Sequence, residues 1–308
     1  MARVLTILAI EPDSHDAPAD WETLLPLLVH IQANLEGDLS LAALSRKSGL
    51  SPFHLQRRFK ATIGETPKVY TSRLRFERGA FRLLVHDSNV LDIALECGFK
   101  NHETFLRAFR RRFGRAPSDY REWVRERLSA WYETGPEDSA AGAPAFETSA
   151  TKVIPLRPMH LAFRRHVGPY ESVPESLFDE LAAWAARRRL PGPPVWMGIG
   201  HDAPGTTPPE RLRFDAALVV PGPFAPEGEV GHQLLPGGLF AVTTHAGPYE
   251  TLPAAYGAIF PRLLALPGYQ LVGLPAVEIY HTTRVNVRYR LNHTDLCLPV
   301  VAGPAPAL

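Results

Sequence analysis

The chain has 308 residues, enough for about two domains of roughly 100 to 200 residues each. Hydrophobic residues at 45% and charged residues at 21% are ordinary globular values, and they exclude wholesale disorder and a fibrous architecture. The net charge of +1 hides an asymmetry: residues 22–132 hold 19 Lys and Arg against 12 Asp and Glu, whereas residues 133–308 hold 13 against 16. A basic half joined to a mildly acidic half indicates a polyanion-binding module attached to a different unit.

Several kinds of site have no support in the sequence. The two cysteines, Cys97 and Cys297, lie far apart, and neither the cysteines nor the histidines have a zinc-binding spacing. Nucleophile-elbow and glycine-rich phosphate-loop motifs do not occur, so we expect neither a metal nor a cofactor. The chain also lacks a signal-peptide pattern and a run of ~18 apolar residues. We therefore expect a soluble, cytoplasmic protein with no membrane partner.

Composition divides the chain into parts. Residues 133–150, ETGPEDSAAGAPAFETSA, are rich in Gly, Pro, Ala, Ser and acidic residues, which is typical of a linker. Before it, apolar residues at helical spacing predict an all-α domain over 22–132, preceded by an extension over 1–21. After it, apolar runs separated by Gly and Pro clusters predict an α+β domain over 151–308.

The helical part contains one unit built twice. FKATIGETPKVY, which starts at Phe59, returns 50 residues later as FRRRFGRAPSDY. Each copy follows a helix-turn-helix pattern, in which Gly49 or Gly98 ends the first helix and Ser51 or Asn101 caps the second. A long helix is expected between the copies, with these apolar positions: Val69, Leu74, Phe81 and Leu84.

The second helix of each unit has a polar face suited to a DNA major groove. Leu55 and Phe59 face inward in the first copy, as Phe105 and Phe109 do in the second. Arg pairs with guanine and Gln with adenine, an aromatic ring can touch a thymine methyl, and further basic residues meet phosphate. The predicted DNA contacts are Phe53, Gln56, Arg57 and Lys60, then His102, Glu103, Arg107, Arg110 and Arg111. Solvated faces of a plain helical bundle are the alternative, which the duplicated caps and glycines disfavour.

The stretch GFKNHETFLRAFRRRFGRAPSDYR, which starts at Gly98, carries a specific pattern. With it, residues 22–127 resemble the DNA-binding domain of the AraC/XylS family. The resemblance implies two helix-turn-helix units on successive major-groove faces of one promoter duplex, about 34 Å apart, bound by a single chain. It also implies RNA polymerase as a partner.

The second part is duplicated as well. HVGPYESVP at His166 returns 79 residues later as HAGPYETLP, and RFDAALVVPG returns as HTDLCLPVVAG, which sets Asp215 and Asp295 80 residues apart. A duplicated strand-helix-strand-strand unit is predicted, and two such units about a pseudo-twofold axis leave a groove, the default ligand site. The duplication could instead be purely architectural. The two helices should carry Leu177, Leu181 and Trp184 on one face in the first copy and Tyr256, Phe260 and Leu263 on one face in the second.

The second part contains two HxGPYE stretches and, separately, the stretches WMGIGHDAP and PAVEIYH. With these four segments, residues from about 152 to 301 resemble the GyrI-like effector-binding domain. The resemblance implies a groove for bulky, often cationic or aromatic compounds, as in multidrug sensing, with Glu278 as the principal polar contact. In a strand, Glu278 shares a face with Tyr280, and a carboxylate beside a ring can hold a cation. Trp196 in the first copy either stacks on a ligand or packs in the core. Gly198 falls at the position of Glu278, so the groove should have one charged wall.

Two functions are compatible with these features. The first is a sequence-specific transcriptional regulator, not an enzyme, whose second domain senses a small effector. The alternative is a detoxifying hydrolase that uses Glu278 as a base on an electrophilic compound. One carboxylate without an evident partner is thin support for chemistry, and the attached DNA-binding domain favours sensing.

Overall fold

The computed structural model describes residues 20–134, 145–204, 206–272, 275–281 and 292–303. The predicted N-terminal extension, apart from its last two residues, and the centre of the predicted linker lie outside these ranges. Within them, no helix is both long and apolar enough to cross a membrane.

The first part of the described chain is helical, as predicted. Its helices are α1 (Trp21–Ala33), α2 (Leu41–Ser48), α3 (Pro52–Ile63), α4 (Pro67–Val85), α5 (Val90–Glu96), α6 (His102–Phe113) and α7 (Pro117–Thr134).

Both helix-turn-helix units are present, α2 with α3 and α5 with α6. Ser51 caps α3 and Asn101 caps α6, each accepting a hydrogen bond from the backbone amide three residues further on. Gly49 and Gly98 have φ values of +70° and +81°, in the left-handed region that favours glycine. A Cβ atom at Gly98 would also collide with the carbonyl oxygen of Leu35. Local sequence therefore determines both turns.

Helix α4 joins the two units. Leu74 belongs to the buried cluster of the first unit, which also contains Phe59. Phe76 belongs to that of the second unit, with Phe105. Val69 was predicted as an apolar position that helps to hold the two units together. That prediction was wrong, because its side chain is 53% exposed.

The second part is one antiparallel sheet with α8 (Ser176–Arg188) and α9 (Leu252–Leu264) on one face. Its strands are β1 (Glu147–Thr148), β2 (Lys152–Leu156), β3 (Met159–Val167), β4 (Trp196–Gly200), β5 (Arg213–Val220), β6 (Gly231–Leu235), β7 (Gly238–Gly247), β8 (Tyr269–Leu271), β9 (Ala276–Tyr280) and β10 (Asn292–Ala302). The order is β1-β7-β10-β9-β4-β5-β3-β6, with β2 also paired to β7 and β8 to β10.

The predicted duplication is confirmed. The first unit is β3-α8-β4-β5 and the second is β7-α9-β9-β10. The units meet where β4 pairs antiparallel with β9, and there Gly198 lies opposite Glu278. Because these two positions are equivalent in the repeat, the pseudo-twofold axis passes between them.

The two helices on the sheet differ from each other. In α8 the buried residues are those predicted: Leu177, Leu181 and Trp184. In α9 the row packed on the sheet includes Ala255, Ile259 and Leu263. Tyr256 and Phe260, predicted on one face with Leu263, are half-buried and pack against the edge of the same cluster. Small Ala255 takes the position against the sheet, and the two aromatic side chains lie beside the groove.

Regular structure enters both ends of the predicted linker, since α7 ends at Thr134 and β1 pairs with β7 from Glu147. The helical part also packs directly on the sheet. Leu25 of α1 shares a buried cluster with Phe163 and Met197, on the sheet face opposite α8 and α9.

Candidate functional sites: two helix faces and a cavity

The predicted DNA-contacting residues of α3 lie on its exposed face. Phe53 is 72% exposed, and Gln56, Arg57 and Lys60 are also exposed, whereas Leu55 is fully buried. Neighbouring Arg58 is instead paired with Asp20, with a distance of 3.0 Å between Nη1 and Oδ2. Two cationic side chains, an amide and an aromatic ring are thus exposed together.

Helix α6 has a corresponding face. The side chains of Glu103, Arg107, Arg110 and Arg111 are exposed, and that of His102 is half-buried. Arg112 turns inward instead. Its Nη2 donates a hydrogen bond to the Glu77 carboxylate of α4 at 3.1 Å. One arginine of this run therefore holds α6 to α4, while its neighbours Arg110 and Arg111 remain exposed.

A cavity of about 1680 Å³ lies over β4 and β9, beside α8 and α9. Glu278, Tyr280 and Trp196, the three predicted ligand contacts, all line it. They share a face of the sheet because Trp196 lies opposite Tyr280 in the β4–β9 register. The structure therefore brings the predicted site residues together.

Glu278 is the central polar group of the cavity floor. The hydroxyl of Tyr280 donates to its Oε2 at 2.5 Å, and Tyr256 of α9 also hydrogen-bonds to the carboxylate. Burial raises the pKa of Glu278 above its ordinary value, although these two hydrogen bonds act in the opposite direction. Among the described residues, none with a positive charge forms a salt bridge with it.

Aromatic rings surround this carboxylate. The ring of Tyr280 meets those of Tyr249 and Phe178 edge to face, with centroid distances of 5.6 and 5.8 Å. Trp196 also packs edge-on against Phe178, at 6.1 Å. Trp196 therefore both packs against a neighbour and faces the cavity. Sequence reasoning missed Phe178, and it treated Tyr256 only as a core residue.

Gly198 makes room for this arrangement. A Cβ atom there would collide with the Tyr280 hydroxyl, and it would lie 2.7 Å from Cζ of Phe214 and 3.0 Å from Oε2 of Glu278. At this pair of positions the predicted asymmetry is present, with a carboxylate on one side of the axis and a glycine on the other. The prediction of one charged wall was wrong, because Glu171, Glu175 and Asp179 of the first copy also line the cavity.

The cavity lining is acidic as well as aromatic. Among the described residues its carboxylates are Glu77, Glu171, Glu175, Asp179, Asp202, Glu250 and Glu278, against Arg78, Arg213 and His201. Asp202 is paired with Arg213, and Glu77 with Arg73 and Arg112. Among the described lining residues the carboxylates outnumber the cations, which favours a cationic over an anionic ligand.

Two helix-turn-helix units with exposed basic faces, followed by a sheet domain with a cavity, indicate a DNA-binding protein of the helix-turn-helix class. A helix-turn-helix domain profile matches residues 44–122, and the profile of the GyrI-like small molecule binding domain matches residues 150–301. Regulatory protein SoxS of Escherichia coli K12 is 35% identical over 95 residues, which are 31% of this chain and 89% of that protein. The chain belongs to the AraC family of transcriptional regulators and carries a GyrI-like domain in its second half.

Both resemblances stated from the sequence are therefore confirmed. Right origin-binding protein of Escherichia coli K12 is 37% identical over 100 residues, 32% of this chain. The chain spans only 35% of the length of that relative. Among solved structures, the EcmrR–DNA complex in EcmrR-RPo has a TM-score of 0.44 and 16% identity, and the match covers 85% of this chain and 99% of that one.

Proposed function

We propose that the protein is a one-component regulator, in which residues 22–132 bind promoter DNA through α3 and α6, and residues 151–308 sense an aromatic cation. The observation that carries the sensing role is Glu278, a partly buried carboxylate among aromatic rings. Loss of water disfavours its charge, so a ligand cation that pairs with it restores electrostatic stabilisation. The surrounding rings add cation–π attraction.

Hydrolysis is less well supported by the same residues. A general base must act on a positioned nucleophile. The hydrogen-bond partners of Glu278 are Tyr280 and Tyr256, and burial raises the pKa of both hydroxyls, so neither is an activated nucleophile. We therefore propose sensing, and the ligand experiment below also monitors turnover.

The sensing role is tested with tetraphenylphosphonium, an aromatic cation, by calorimetry on the full chain. We expect binding to the wild-type protein and at least about tenfold weaker binding to Glu278→Gln, which keeps the shape and removes the charge. Glu171→Gln is the matched control, since Glu171 is an exposed carboxylate at the rim of the same cavity. Its screened charge should change affinity little.

Two further arms complete this experiment. Triphenylphosphine oxide, aromatic but neutral, should bind weakly and equally to wild type and Glu278→Gln. Equal tetraphenylphosphonium affinity in wild type and Glu278→Gln would remove Glu278 from the site. Consumption of an added electrophilic ester or epoxide, lost in Glu278→Gln, would favour the hydrolase.

The DNA-binding role rests on the exposed faces of α3 and α6. We propose that Arg57 and Arg107 read base edges, with Phe53, Gln56, His102 and Glu103 beside them, and that Lys60, Arg110 and Arg111 contact phosphates. Both faces belong to one chain, so a monomer can occupy two successive major-groove faces. At a promoter the remaining partner in this proposal is RNA polymerase.

Arg57→Ala and Arg107→Ala test base reading on a DNA site selected by the full chain from a random pool. Each should weaken specific binding by ~1–3 kcal/mol and relax the base preference at its own position. Arg187→Ala is the control, because this exposed arginine lies on α8, away from both recognition helices. Unchanged affinity in both recognition-helix variants would overturn the assignment.

A further inference from the structure

The cavity is not confined to the sheet domain. Leu74 and Phe81 of α4, with Trp123 and Val124 of α7, form part of its lining. At about 1680 Å³ it exceeds the roughly 300–1,000 Å³ of ordinary small-molecule pockets. A ligand seated only on the strand that carries Glu278 would therefore leave much of the helical wall uncovered.

The helical wall is held in place by apolar packing. Leu84 and Val85 of α4 share a buried cluster with Ile259 of α9, and Phe81 and Val124 pack against the same cluster. Moving α4 away from α9 would expose this apolar surface to water, which is unfavourable. The wall and the cavity floor are therefore parts of one packed structure.

Buried polar groups join α4 to the sheet domain at a second place, at β5. Nε and Nη2 of Arg213 donate to the Asp202 carboxylate at 2.9 and 2.6 Å, and Nη1 donates to the hydroxyl of Tyr70 in α4 at 3.3 Å. Burial opposes the charge of Arg213, yet Asp202 keeps the pKa of this arginine well above its ordinary value. The hydroxyl of Tyr170, which lines the cavity, donates to the Asp202 carbonyl at 2.7 Å.

This polar connection ends close to a recognition helix. The ring of Tyr70 packs edge-on against Phe59 of α3, with a centroid distance of 5.4 Å. Phe59 is fully buried and lies on the inner side of the helix whose outer side carries Arg57. Arg213 and Tyr170 of the cavity lining are thus connected, through Asp202 and Tyr70, to a residue that positions α3.

We propose that the effector site is built by both domains: an aromatic cation places its charge at Glu278 and its apolar rings against Phe81, Trp123 and Val124. This inference rests on the proposed sensing function and adds the helical wall to it. A ligand in this position contacts the DNA-binding domain directly. By thermodynamic linkage, any difference it makes to DNA affinity is matched by the same factor in the effect of DNA on ligand affinity.

The test is protection of introduced cysteines from a maleimide by tetraphenylphosphonium, in the full chain. The native thiols provide a low background, because Cys97 and Cys297 are buried and burial raises their pKa values to about 11 and about 12. Phe81→Cys and Val124→Cys place a thiol on the helical wall. Val124→Cys is nearly isosteric, so it tests the wall even where Phe81→Cys weakens packing.

Val69→Cys is the matched control, since position 69 is exposed on the same helix α4 and does not line the cavity. Bound ligands bury roughly 70–90% of their surface in a pocket, so saturating probe should slow labelling at positions 81 and 124 several-fold and leave position 69 unchanged. DNA should change tetraphenylphosphonium affinity in the wild-type chain.

The outcomes separate the two proposals. Probe that binds in a Glu278-dependent manner but leaves positions 81 and 124 unprotected overturns the two-domain site and retains the sensing function. If the probe does not bind the wild-type chain, both the sensing of aromatic cations and the two-domain site are overturned. Protection of position 69 as strongly as position 124 would reveal a general change of shape, and it would also overturn the direct contact.

Discussion

The two strand-helix-strand-strand units share one skeleton but differ in the chemistry at matched positions. In the first, Asp215 accepts two hydrogen bonds from Arg165, both at 2.7 Å, and lies 2.6 Å from Nε2 of His201. In the second, Asp295 meets Thr244 at 2.6 Å and Nε2 of His281 at 2.7 Å. The histidine–aspartate pair is thus duplicated, while the arginine of the first copy is replaced by a threonine.

This difference and a second one, at Gly198 and Glu278, give the copies different roles. Nη1 of Arg165 donates to Oε1 of Gln32 in α1 at 3.0 Å, and Gln32 also bonds His201 at 3.2 Å. The first copy therefore contacts the helical domain through buried polar groups, whereas the second contacts it through apolar packing of α9 on α4. The second copy also supplies Glu278, where the first has Gly198. Duplication built a symmetric frame, and divergence placed the polar interdomain contact in one half and the ligand charge in the other.

The largest expected effect is on the free energy of unfolding, at the two matched aspartates. Asp215→Asn should lower the free energy of unfolding by ~3–5 kcal/mol, because it leaves a buried arginine without its carboxylate. Asp295→Asn should lower it by only ~0–1 kcal/mol, since the partner of Asp295, His281, is 51% exposed. Urea unfolding of both variants measures the difference.

Equal losses in the two variants would contradict the division of roles.

The contribution of Asp215 to stability also depends on pH, and the sign of that dependence follows from its pKa. Burial alone would raise the pKa of Asp215, but Arg165 and His201 hold it well below the ordinary 3.8. Its contribution to stability is therefore present above about pH 4 and is lost as pH falls further, and Asp215→Asn should remove that part of the acid dependence.

A smaller effect is expected at the axis. Gly198→Ala inserts a Cβ atom against the Tyr280 hydroxyl and the Phe214 ring, which should destabilise the protein by ~1–3 kcal/mol and weaken tetraphenylphosphonium binding. Gly222→Ala in the same unit is the control, because no atom lies within 4 Å of the added Cβ. Thermal unfolding and calorimetry should find the control unchanged. Wild-type affinity in Gly198→Ala would mean that the floor can relax.

The smallest expected effect is a pH dependence of ligand affinity that belongs to Glu278, in the second copy only. The pKa of Glu278 is raised by burial, so affinity for tetraphenylphosphonium should increase as pH rises through that raised pKa, by at most about tenfold per unit. In the empty cavity the same shift has the opposite sign for stability, since ionising Glu278 lowers the free energy of unfolding as pH rises. Calorimetry from pH 5 upward measures the slope. Glu278→Gln should be flat, and a slope retained in that variant would assign the titration to another group.

Much of the fold was predictable because its signals are local. A cap such as Ser51 bonds an amide three residues away, and Gly98 is required by the backbone of its own turn. Alternation within a strand sets Glu278 and Tyr280 on one face before any packing is known. The 80-residue echo of Asp215 in Asp295 was sufficient to predict the duplication.

The sequence by itself determined the two domain classes, the double helix-turn-helix, the duplicated unit, and the three predicted residues that line one cavity. Only the tertiary structure decided that Tyr256 turns from the core toward Glu278, that Arg165 reaches Gln32, and that α4 and α7 form a wall of the cavity. These contacts join residues far apart in the chain. They depend on how helices and sheet pack, and helical period or strand alternation does not encode that packing.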